Sequence, residues 1–379
     1  IILNIKNNHI IFSANTAWYL YNFRRSSISL ALKMGYSVSC VAGKDDYSNK
    51  LKDLGASFYP LNINKSSINP ISEIKLLLDI FRIYRMISPA VIFQFTVKNN
   101  LYGSIISKVL KINCVNNISG LGTGIIEDGL TSKLIKILYK VTQNFPFHTH
   151  FQNTDDLKYM KKLKLIGSNV SVIPGSGVDT AYFNPKVVSA NNNKVFTFLY
   201  VGRLLKDKGL IELFSAMRSL TQGKINVQLH VVGIRDLHNP SAIDSKSLAE
   251  WGEKKYITFF HQTDDVRQYL SSADCFVLPS YREGLSRSIL EAMAMSLPVI
   301  TTNVPGCSHL VEDGVNGFLC ESKSIHSLAR AMDRMTKLDL NKRIELGKNG
   351  RKMAIKKFDI KLVEKSVSDC IIAIQEYDK

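Results

Sequence analysis

Apolar residues in the first half of the chain form short runs of strand type, separated by stretches with apolar residues at helical spacing. Strands that alternate with helix-length segments predict βαβ units and a mostly parallel sheet covered on both faces. The clearest helical pattern of this half covers residues 71–86. The predicted strands are residues 9–14, 36–42, 57–63, 90–95, 113–118, 149–153 and 170–174.

A second series of the same kind begins near residue 195. Its predicted strands are residues 196–202, 227–233, 257–261, 275–279, 298–302 and 317–320. Glycines at 175 and 177, and then Asn184-Pro185, are typical of turns and linkers, so a hinge is expected there. The last amphipathic segment, residues 360–377, follows the completed second series.

These patterns predict an α/β protein with two Rossmann-like parallel-sheet domains that face a cleft. The predicted domains are residues 1–178, residues 179–358, and a C-terminal helix within residues 359–379 that returns to the first domain. Open parallel sheets bind ligands at the carboxyl ends of their strands, so the loops after strands are where the chemistry is expected.

Composition favours an ordinary folded protein, since 45% of the 379 residues are apolar and 21% are charged. The six cysteines are scattered without a CxxC pair, which argues against a zinc site or a disulfide framework and favours a reducing cytosol. No apolar run approaches the roughly 20 residues that span a bilayer, and residues 1–9 lack the pattern of a signal peptide. A cytoplasmic location is therefore expected.

The net charge of +17 favours anionic partners, namely nucleic acid, an anionic membrane face or phosphorylated substrates. Enrichment in lysine, in a chain also rich in isoleucine and asparagine, explains the same charge without any partner. Charge alone does not choose between these interpretations.

The strongest candidate site is the segment 279–293, where a predicted strand ends in a loop and a helix begins near Ser286. Glu283 lies in the loop and Glu291 lies two turns into the helix, so both carboxylates can face the strand ends. A carboxylate there accepts two hydrogen bonds from a vicinal diol, and the amides that open the helix favour phosphate. The alternative is a helix cap and a solvated helix residue.

A second cluster follows the first strand of the second series. Gly202-Arg203 closes that strand, and Lys208-Gly209 opens the next helix. A guanidinium binds phosphate with two hydrogen bonds, and an ammonium supplies a point charge. Solvated basic residues are the ordinary alternative, but cations and diol acceptors at strand ends of one sheet favour a sugar-nucleotide site.

These motifs resemble those of family 4 glycosyltransferases of the GT-B fold. The resemblance is dense over residues 172–320, where it also includes residues 172–179, 301–306 and 312–317. It extends to residues 19–24 and 119–122, which are similar to the branch that builds bacterial surface polysaccharides on lipid carriers.

The resemblance implies a role for each matching residue. Arg203 and Lys208 would hold the donor diphosphate and stabilise charge on the leaving group, Glu283 would bind the transferred sugar, and Glu291 the ribose. The remaining implied donor-binding residues are Gly202, Gly284, Leu285, Ser286 and Ile289. The family retains anomeric configuration without a metal or other cofactor, the nucleotide-sugar being a co-substrate, so electrostatic stabilisation would be the main catalytic effect.

The acceptor side departs from the family pattern. Where many members carry glycines, the first strand–helix loop reads Ser-Ala-Asn-Thr-Ala, and Asn15 and Thr16 are expected to supply polar contacts. Gly120 and Gly122 are assigned to a loop that faces the acceptor. His148 and His150 do not align with the family's cleft histidine and are expected to be structural. His261 stands where relatives have glycine and is a weak candidate for a contact with the base.

Two lysine-rich amphipathic segments, residues 133–140 and 157–164, could lie in an anionic membrane interface. The alternative is a pair of core-facing helices with solvated lysine faces.

The sequence therefore predicts a peripheral enzyme on the inner face of the cytoplasmic membrane. It would transfer a hexose or N-acetylhexosamine from a nucleotide-sugar, with UDP favoured, to a polyprenyl-diphosphate-linked glycan. Two other functions stay open: an epimerase or phosphorylase of the same fold, and a basic nucleic-acid-binding protein. The latter is disfavoured, because aromatic residues do not alternate with Lys and Arg as in stacking platforms.

Overall fold

The structure is a computed structural model that describes residues 8–63, 69–121, 125–126, 129–185, 195–236, 239–261 and 263–377. It divides into two compact units. The first comprises Ile1–Ser176 together with Ile360–Lys379, and the second comprises Gly177–Asp359. The division falls two residues before the predicted domain boundary, and the terminal segment belongs to the first unit.

The first unit is built on a seven-stranded parallel sheet with the order β3-β2-β1-β4-β5-β6-β7. Its central strands are fully buried because helices cover both faces, which explains their continuous apolar runs. The strands are β1 (His9–Thr16), β2 (Ser37–Gly43), β3 (Ser57–Pro60), β4 (Val91–Phe95), β5 (Asn113–Ile118), β6 (His148–Phe151) and β7 (Val170–Val172).

Three helices among the described residues of the first unit, Ala17–Lys33, Pro70–Ile87 and Thr154–Lys162, begin at a side chain that caps them. Thr16 caps α1 by accepting a hydrogen bond from the Tyr19 amide, and Asn69 caps α3, whose first residue is Pro70. The helices are α1 (Ala17–Lys33), α2 (Tyr47–Asp53), α3 (Pro70–Ile87), α4 (Val97–Leu110), α5 (Leu130–Thr142), α6 (Thr154–Lys162) and, at the end of the chain, α13 (Ile360–Tyr377). The last of these packs on α1.

The second unit is built on a six-stranded parallel sheet with the order β10-β9-β8-β11-β12-β13. Its strands are β8 (Phe196–Arg203), β9 (Val227–Ile234), β10 (Ile257–Phe260), β11 (Cys275–Leu278), β12 (Val299–Thr302) and β13 (Gly317–Cys320). Its helices are a 3-10 turn (Lys206–Lys208), α7 (Leu210–Gln222), α8 (Ser245–Gly252), α9 (Arg267–Ser272), α10 (Arg287–Ala294), α11 (Ile325–Thr336) and α12 (Leu340–Phe358).

The predicted fold class is confirmed: each unit is a Rossmann-like parallel α/β sandwich, and all thirteen predicted strands are present among the described residues. Each unit has its own buried apolar core. The six cysteines are buried and none is disulfide-bonded. Within the described part of the chain, no helix combines the length and the apolar character needed to cross a membrane.

Candidate functional site

An ion pair joins two of the predicted site residues across 75 positions of sequence. The Nζ of Lys208, at the end of the 3-10 turn after β8, contacts the Oε1 of Glu283 in the loop after β11. Strands β8 and β11 are neighbours in the sheet, so their carboxyl ends bring the two residues together. The side chains are 18% and 14% exposed, which leaves both groups reachable from solvent while keeping them in a low-dielectric setting.

The loop that carries Glu283 is held on one side by the 3-10 turn. The Tyr281 amide and the Ser280 hydroxyl both donate hydrogen bonds to the Asp207 carbonyl, at 2.8 and 3.2 Å. Gly209 has a φ of +72°, and a Cβ on it would lie 2.0 Å from the Pro279 carbonyl oxygen. Only glycine therefore permits this close approach of the two loops.

The same loop is held on its other side by the turn after β12. The Glu283 amide donates to the Pro305 carbonyl at 3.1 Å. Gly306 has a φ of +78°, and a Cβ there would lie 2.2 Å from the Glu283 carbonyl oxygen. Because backbone contacts fix Glu283 from both sides, its carboxylate is positioned before any ligand arrives.

Glu291 lies on α10 with only 12% of its side chain exposed. Arg287, one turn earlier, donates from Nε to Glu291 Oε1 at 2.8 Å, while Glu291 Oε2 has no hydrogen-bond partner among the described residues. Burial raises the pKa of Glu291, and the adjacent Arg287 opposes the increase. The free oxygen is able to accept the hydrogen bonds of a hydroxyl-bearing ligand.

Arg203 is the last residue of β8, and its side chain is 48% exposed. Its Nη1 lies 3.2 Å from Oδ2 of Asp236, a carboxylate that the sequence reasoning did not single out. Burial raises the pKa of Tyr200 well above its usual value; Glu283 adds to that shift and Arg203 reduces it. The Tyr200 ring therefore lies within electrostatic reach of both residues.

The backbone amides just before α10 differ in whether the fold already uses them. Ser286 caps the helix, and its own amide donates to the Gly306 carbonyl at 3.3 Å, so the fold already uses that amide. The Leu285 amide has no hydrogen-bond partner among the described residues. Ile289 is fully buried in the core of this unit. A Cβ on Gly202 would lie 3.0 Å from the Tyr200 hydroxyl.

The structure thus brings Lys208 and Glu283 into contact and places Arg203 and Glu291 beside partners of opposite charge. Sequence reasoning missed Asp236 and Arg287. The Arg287–Glu291 ion pair could have been predicted from the i, i+4 spacing of the two residues on a predicted helix. Asp236 follows β9, which neighbours β8, but a strand order is needed to find it.

The predicted acceptor-side residues of the first unit have structural partners. Asn15 Oδ1 accepts from the Thr96 hydroxyl at 2.8 Å, and Thr16 is the cap of α1. Gly120 follows β5 and has a φ of +130°, which favours glycine. Gly122 lies outside the described residues.

The three histidines considered in the sequence analysis differ in burial and in hydrogen-bond partners. His150 is buried and contacts Ser171, and burial followed by His148 and Arg24 lowers the pKa of His150 to about 3. His148 bonds to Asn169 and Ser171. His261 is exposed after β10. No group of three or more His, Cys, Asp or Glu side chains suited to a metal ion occurs among the described residues.

Comparisons with known proteins agree with this architecture. A family model described as glycosyl transferases group 1 matches residues 184–353, and one described as glycosyl transferase 4-like matches residues 9–151. The N,N'-diacetylbacillosaminyl-diphospho-undecaprenol alpha-1,3-N-acetylgalactosaminyltransferase of Campylobacter jejuni is 25% identical over 359 residues, which cover 91% of this chain and 93% of the relative.

The capsular polysaccharide biosynthesis glycosyltransferase CapM of Staphylococcus aureus is 26% identical over 378 residues, covering 94% of this chain and 95% of the relative. The structure of Anabaena HepE in complex with UDP-glucose matches with a TM-score of 0.79 at 17% identity, covering 96% of this chain and 99% of HepE, which shows a shared fold. The two family models, the relatives and the pair of parallel-sheet units together identify the chain as a glycosyltransferase of the GT-B fold.

Proposed function

We propose that the protein is a retaining glycosyltransferase of bacterial surface polysaccharide biosynthesis. It transfers a hexose or N-acetylhexosamine from a UDP-sugar to a polyprenyl-diphosphate-linked glycan. The names of the relatives support the class of acceptor and the pathway, since one acts on a diphospho-undecaprenol glycan and another serves capsule synthesis. The HepE complex with UDP-glucose supports the class of donor.

The observation that carries the proposal is the pre-positioned pair of Lys208 and Glu283, together with an oxygen of Glu291 on α10 and an amide of Leu285 that have no hydrogen-bond partner among the described residues. A sugar nucleotide needs acceptors for its hydroxyls and positive charge or amides for its diphosphate. Lys208 and Arg203 would stabilise charge on the leaving diphosphate, Glu283 would bind the sugar, and Glu291 the ribose. Groups held in place before the reaction stabilise developing charge without a cost of reorganisation.

The proposed reaction needs no metal and no other cofactor. Lys208 and Arg203 supply the positive charge that a divalent cation supplies at other diphosphates. Turnover is therefore expected to be unchanged by excess EDTA after dialysis. Loss of turnover in EDTA, with recovery on adding Mg²⁺ or Mn²⁺, would contradict this part of the proposal.

The test of function has two steps. Thermal unfolding is followed with UDP-, GDP- and ADP-sugars, since a ligand that binds only the native state raises the Tm. The stabilising donor is then incubated with and without a short polyprenyl-diphosphate glycan, and the product anomer is assigned by NMR. Transfer with the anomer retained is expected. Consumption of the donor without acceptor, giving an isomeric sugar nucleotide, would indicate an epimerase instead.

The proposal also includes attachment to an anionic membrane, because α5 turns apolar residues outward. Leu130, Leu134, Ile137 and Val141 recur on one face of this helix and are 49–87% exposed. A core-facing helix with a solvated lysine face would bury these side chains. Instead, exposed lysines at 133 and 140 stand among them, and this combination suits an anionic lipid interface.

A second helix of the same unit also exposes apolar side chains. α3 packs against α4, and α4 packs against α5. On α3, Ile71, Ile74 and Leu78 are 78%, 59% and 49% exposed. The unit therefore exposes an apolar stripe on each of two helices that pack on α4, and exposed apolar stripes of this kind suit an interaction site.

Sedimentation with vesicles of phosphatidylglycerol and phosphatidylcholine tests the membrane surface. Leu134→Asp combined with Ile137→Asp is expected to reduce bound protein several-fold, because aspartate is repelled by anionic lipid and does not enter the interface. Ile344→Asp on α12, which is 43% exposed, is the matched control. Equal binding of all three proteins would contradict attachment through α5.

A further inference from the structure

A buried cation without a carboxylate lies in the first unit. Arg24, on α1, is 1% exposed, and no acidic side chain pairs with it among the described residues. Its guanidinium lies 4.4 Å from the centre of the Phe95 ring and donates from Nη1 to the Gly175 carbonyl at 3.3 Å. Its Nε has no hydrogen-bond partner within the described part of the chain. A buried charge without a counter-ion is costly, so its retention calls for a reason.

Arg24, Tyr19 and Ser119 are linked by a chain of hydrogen bonds that starts at the Arg24 guanidinium. A guanidinium only donates, so Tyr19 Oη accepts from Arg24 Nη2 at 3.3 Å. Tyr19 Oη also lies 2.7 Å from Ser119 Oγ. Either hydroxyl of this pair is able to donate, and we assign Tyr19 as the donor because its proton has no other acceptor among the described residues. The Ser119 proton is then turned away from Tyr19, and Ser119 has no other hydrogen-bond partner among the described residues.

Ser119 occupies a place where ligands bind in this type of sheet. It follows β5 directly, at the carboxyl end of the strand, and is half-buried. The next residue, Gly120, has a φ of +130°, so the chain turns sharply beside the hydroxyl. The helix α5, whose apolar side chains are exposed, begins at Leu130 in the same unit.

We propose that Ser119 donates a hydrogen bond to a phosphate oxygen of the diphosphate of the lipid-linked acceptor, with Tyr19 and Arg24 as positioning residues. The proposal rests on the function proposed above and names a group that binds the acceptor. An anionic ligand matches the relay, because the uncompensated charge of Arg24 polarises Tyr19 and makes Ser119 a stronger donor. His150, the titratable neighbour of Arg24, is buried and neutral, so it adds no charge of its own.

The test removes one hydroxyl at a time. Tyr19→Phe and Ser119→Ala are each expected to raise the KM for a polyprenyl-diphosphate glycan roughly tenfold with kcat little changed, since the lost bond involves a charged ligand. The double variant is expected to resemble Ser119→Ala, because both residues act in one chain of hydrogen bonds. Tyr21→Phe is the matched control, since Tyr21 lies on the same helix and its hydroxyl makes no hydrogen bond among the described residues.

A binding measurement distinguishes failure of this proposal from failure of the proposed function. Calorimetry compares farnesyl diphosphate, farnesol and UDP on the wild-type protein and on Tyr19→Phe, with no turnover required. Weaker binding of farnesyl diphosphate alone would support the proposal even if no donor sugar were transferred. Unchanged binding of farnesyl diphosphate in an active enzyme would overturn it, and so would a change confined to UDP or an equal change for farnesol.

Discussion

The two units share one fold and differ in the chemistry of their strand ends. In the second unit, four charged predicted residues stand at the end of β8, in the loops after β8 and β11, or on α10, and each belongs to an ion pair. In the first unit, neutral groups at the end of β1 bond to groups that follow β4: Asn15 accepts from Thr96, and Ser13 accepts from Asn99 in the first turn of α4. Charged groups of this region are the buried Arg24 on α1 and, in the first turn of α4, Lys98, which pairs with Glu73.

The difference shows that the parallel sheet provides positions but does not choose their chemistry. Charged pairs at the strand ends of the second unit suit an anionic donor and the charge that develops as it leaves. Neutral hydroxyls and amides suit recognition by hydrogen bonds. Substitutions of the charged residues in the second unit are accordingly expected to affect catalysis or donor binding, whereas those in the first are expected to affect acceptor binding or stability.

The largest effect is expected for Lys208→Ala. Loss of the ammonium removes stabilisation of the leaving diphosphate and leaves Glu283 without its partner, so kcat is expected to fall about 10²- to 10³-fold. Steady-state kinetics at saturating donor measures this fall in kcat. Lys206→Ala, in the same 3-10 turn with an exposed side chain, serves as control. A kcat within a few-fold of wild type would remove Lys208 from the catalytic machinery.

Glu291→Gln is expected to weaken donor binding about tenfold, since an amide replaces a charged acceptor of hydroxyl hydrogen bonds. Calorimetry with UDP measures this change. The exposed Glu250→Gln on α8 controls for the loss of one negative charge. Unaltered UDP affinity in Glu291→Gln would mean that the ribose is held elsewhere.

The raised pKa of Glu291 predicts opposite pH trends for stability and for donor binding. Its stabilising contribution is present below the unfolded pKa and is lost as pH rises through the raised folded pKa, because the folded state holds the proton more tightly. Donor affinity increases over the same rise, since the ionised carboxylate is the better acceptor. Tm and UDP affinity, measured from about pH 4 to 8 on wild type and Glu291→Gln, test both trends. Identical profiles for the two proteins would exclude Glu291 as their source.

The smallest effect is expected in the first unit for Thr16→Ala. Loss of the cap of α1 is expected to lower the free energy of unfolding by about 1 kcal/mol. Urea unfolding measures it, and Thr16→Ser, which keeps a capping hydroxyl, is expected to restore most of the loss. If both variants unfold like wild type, the Thr16 hydroxyl is not needed for the fold. That result would favour the predicted contact of Thr16 with the acceptor.

Much of the architecture was predictable because it depends on local patterns. Buried parallel strands are recognised by their apolar runs, and the helix Ile360–Tyr377 by its amphipathic period. Ser286 is a capping residue at a predicted helix start. The outward apolar face of α5 was not predictable, since an amphipathic pattern does not say which face meets the core.

The sequence by itself determined the two series of strands and the residue types that follow them, because alternation and turn chemistry are properties of neighbouring residues. Only the tertiary structure decided which distant residues meet. Lys208 and Glu283, Arg203 and Asp236, and Tyr19 and Ser119 are brought into contact by strand order and long-range packing, and no local pattern encodes those partners. The reason is physical: hydrogen bonds and ion pairs act over a few ångströms, and the fold alone determines which groups come that close.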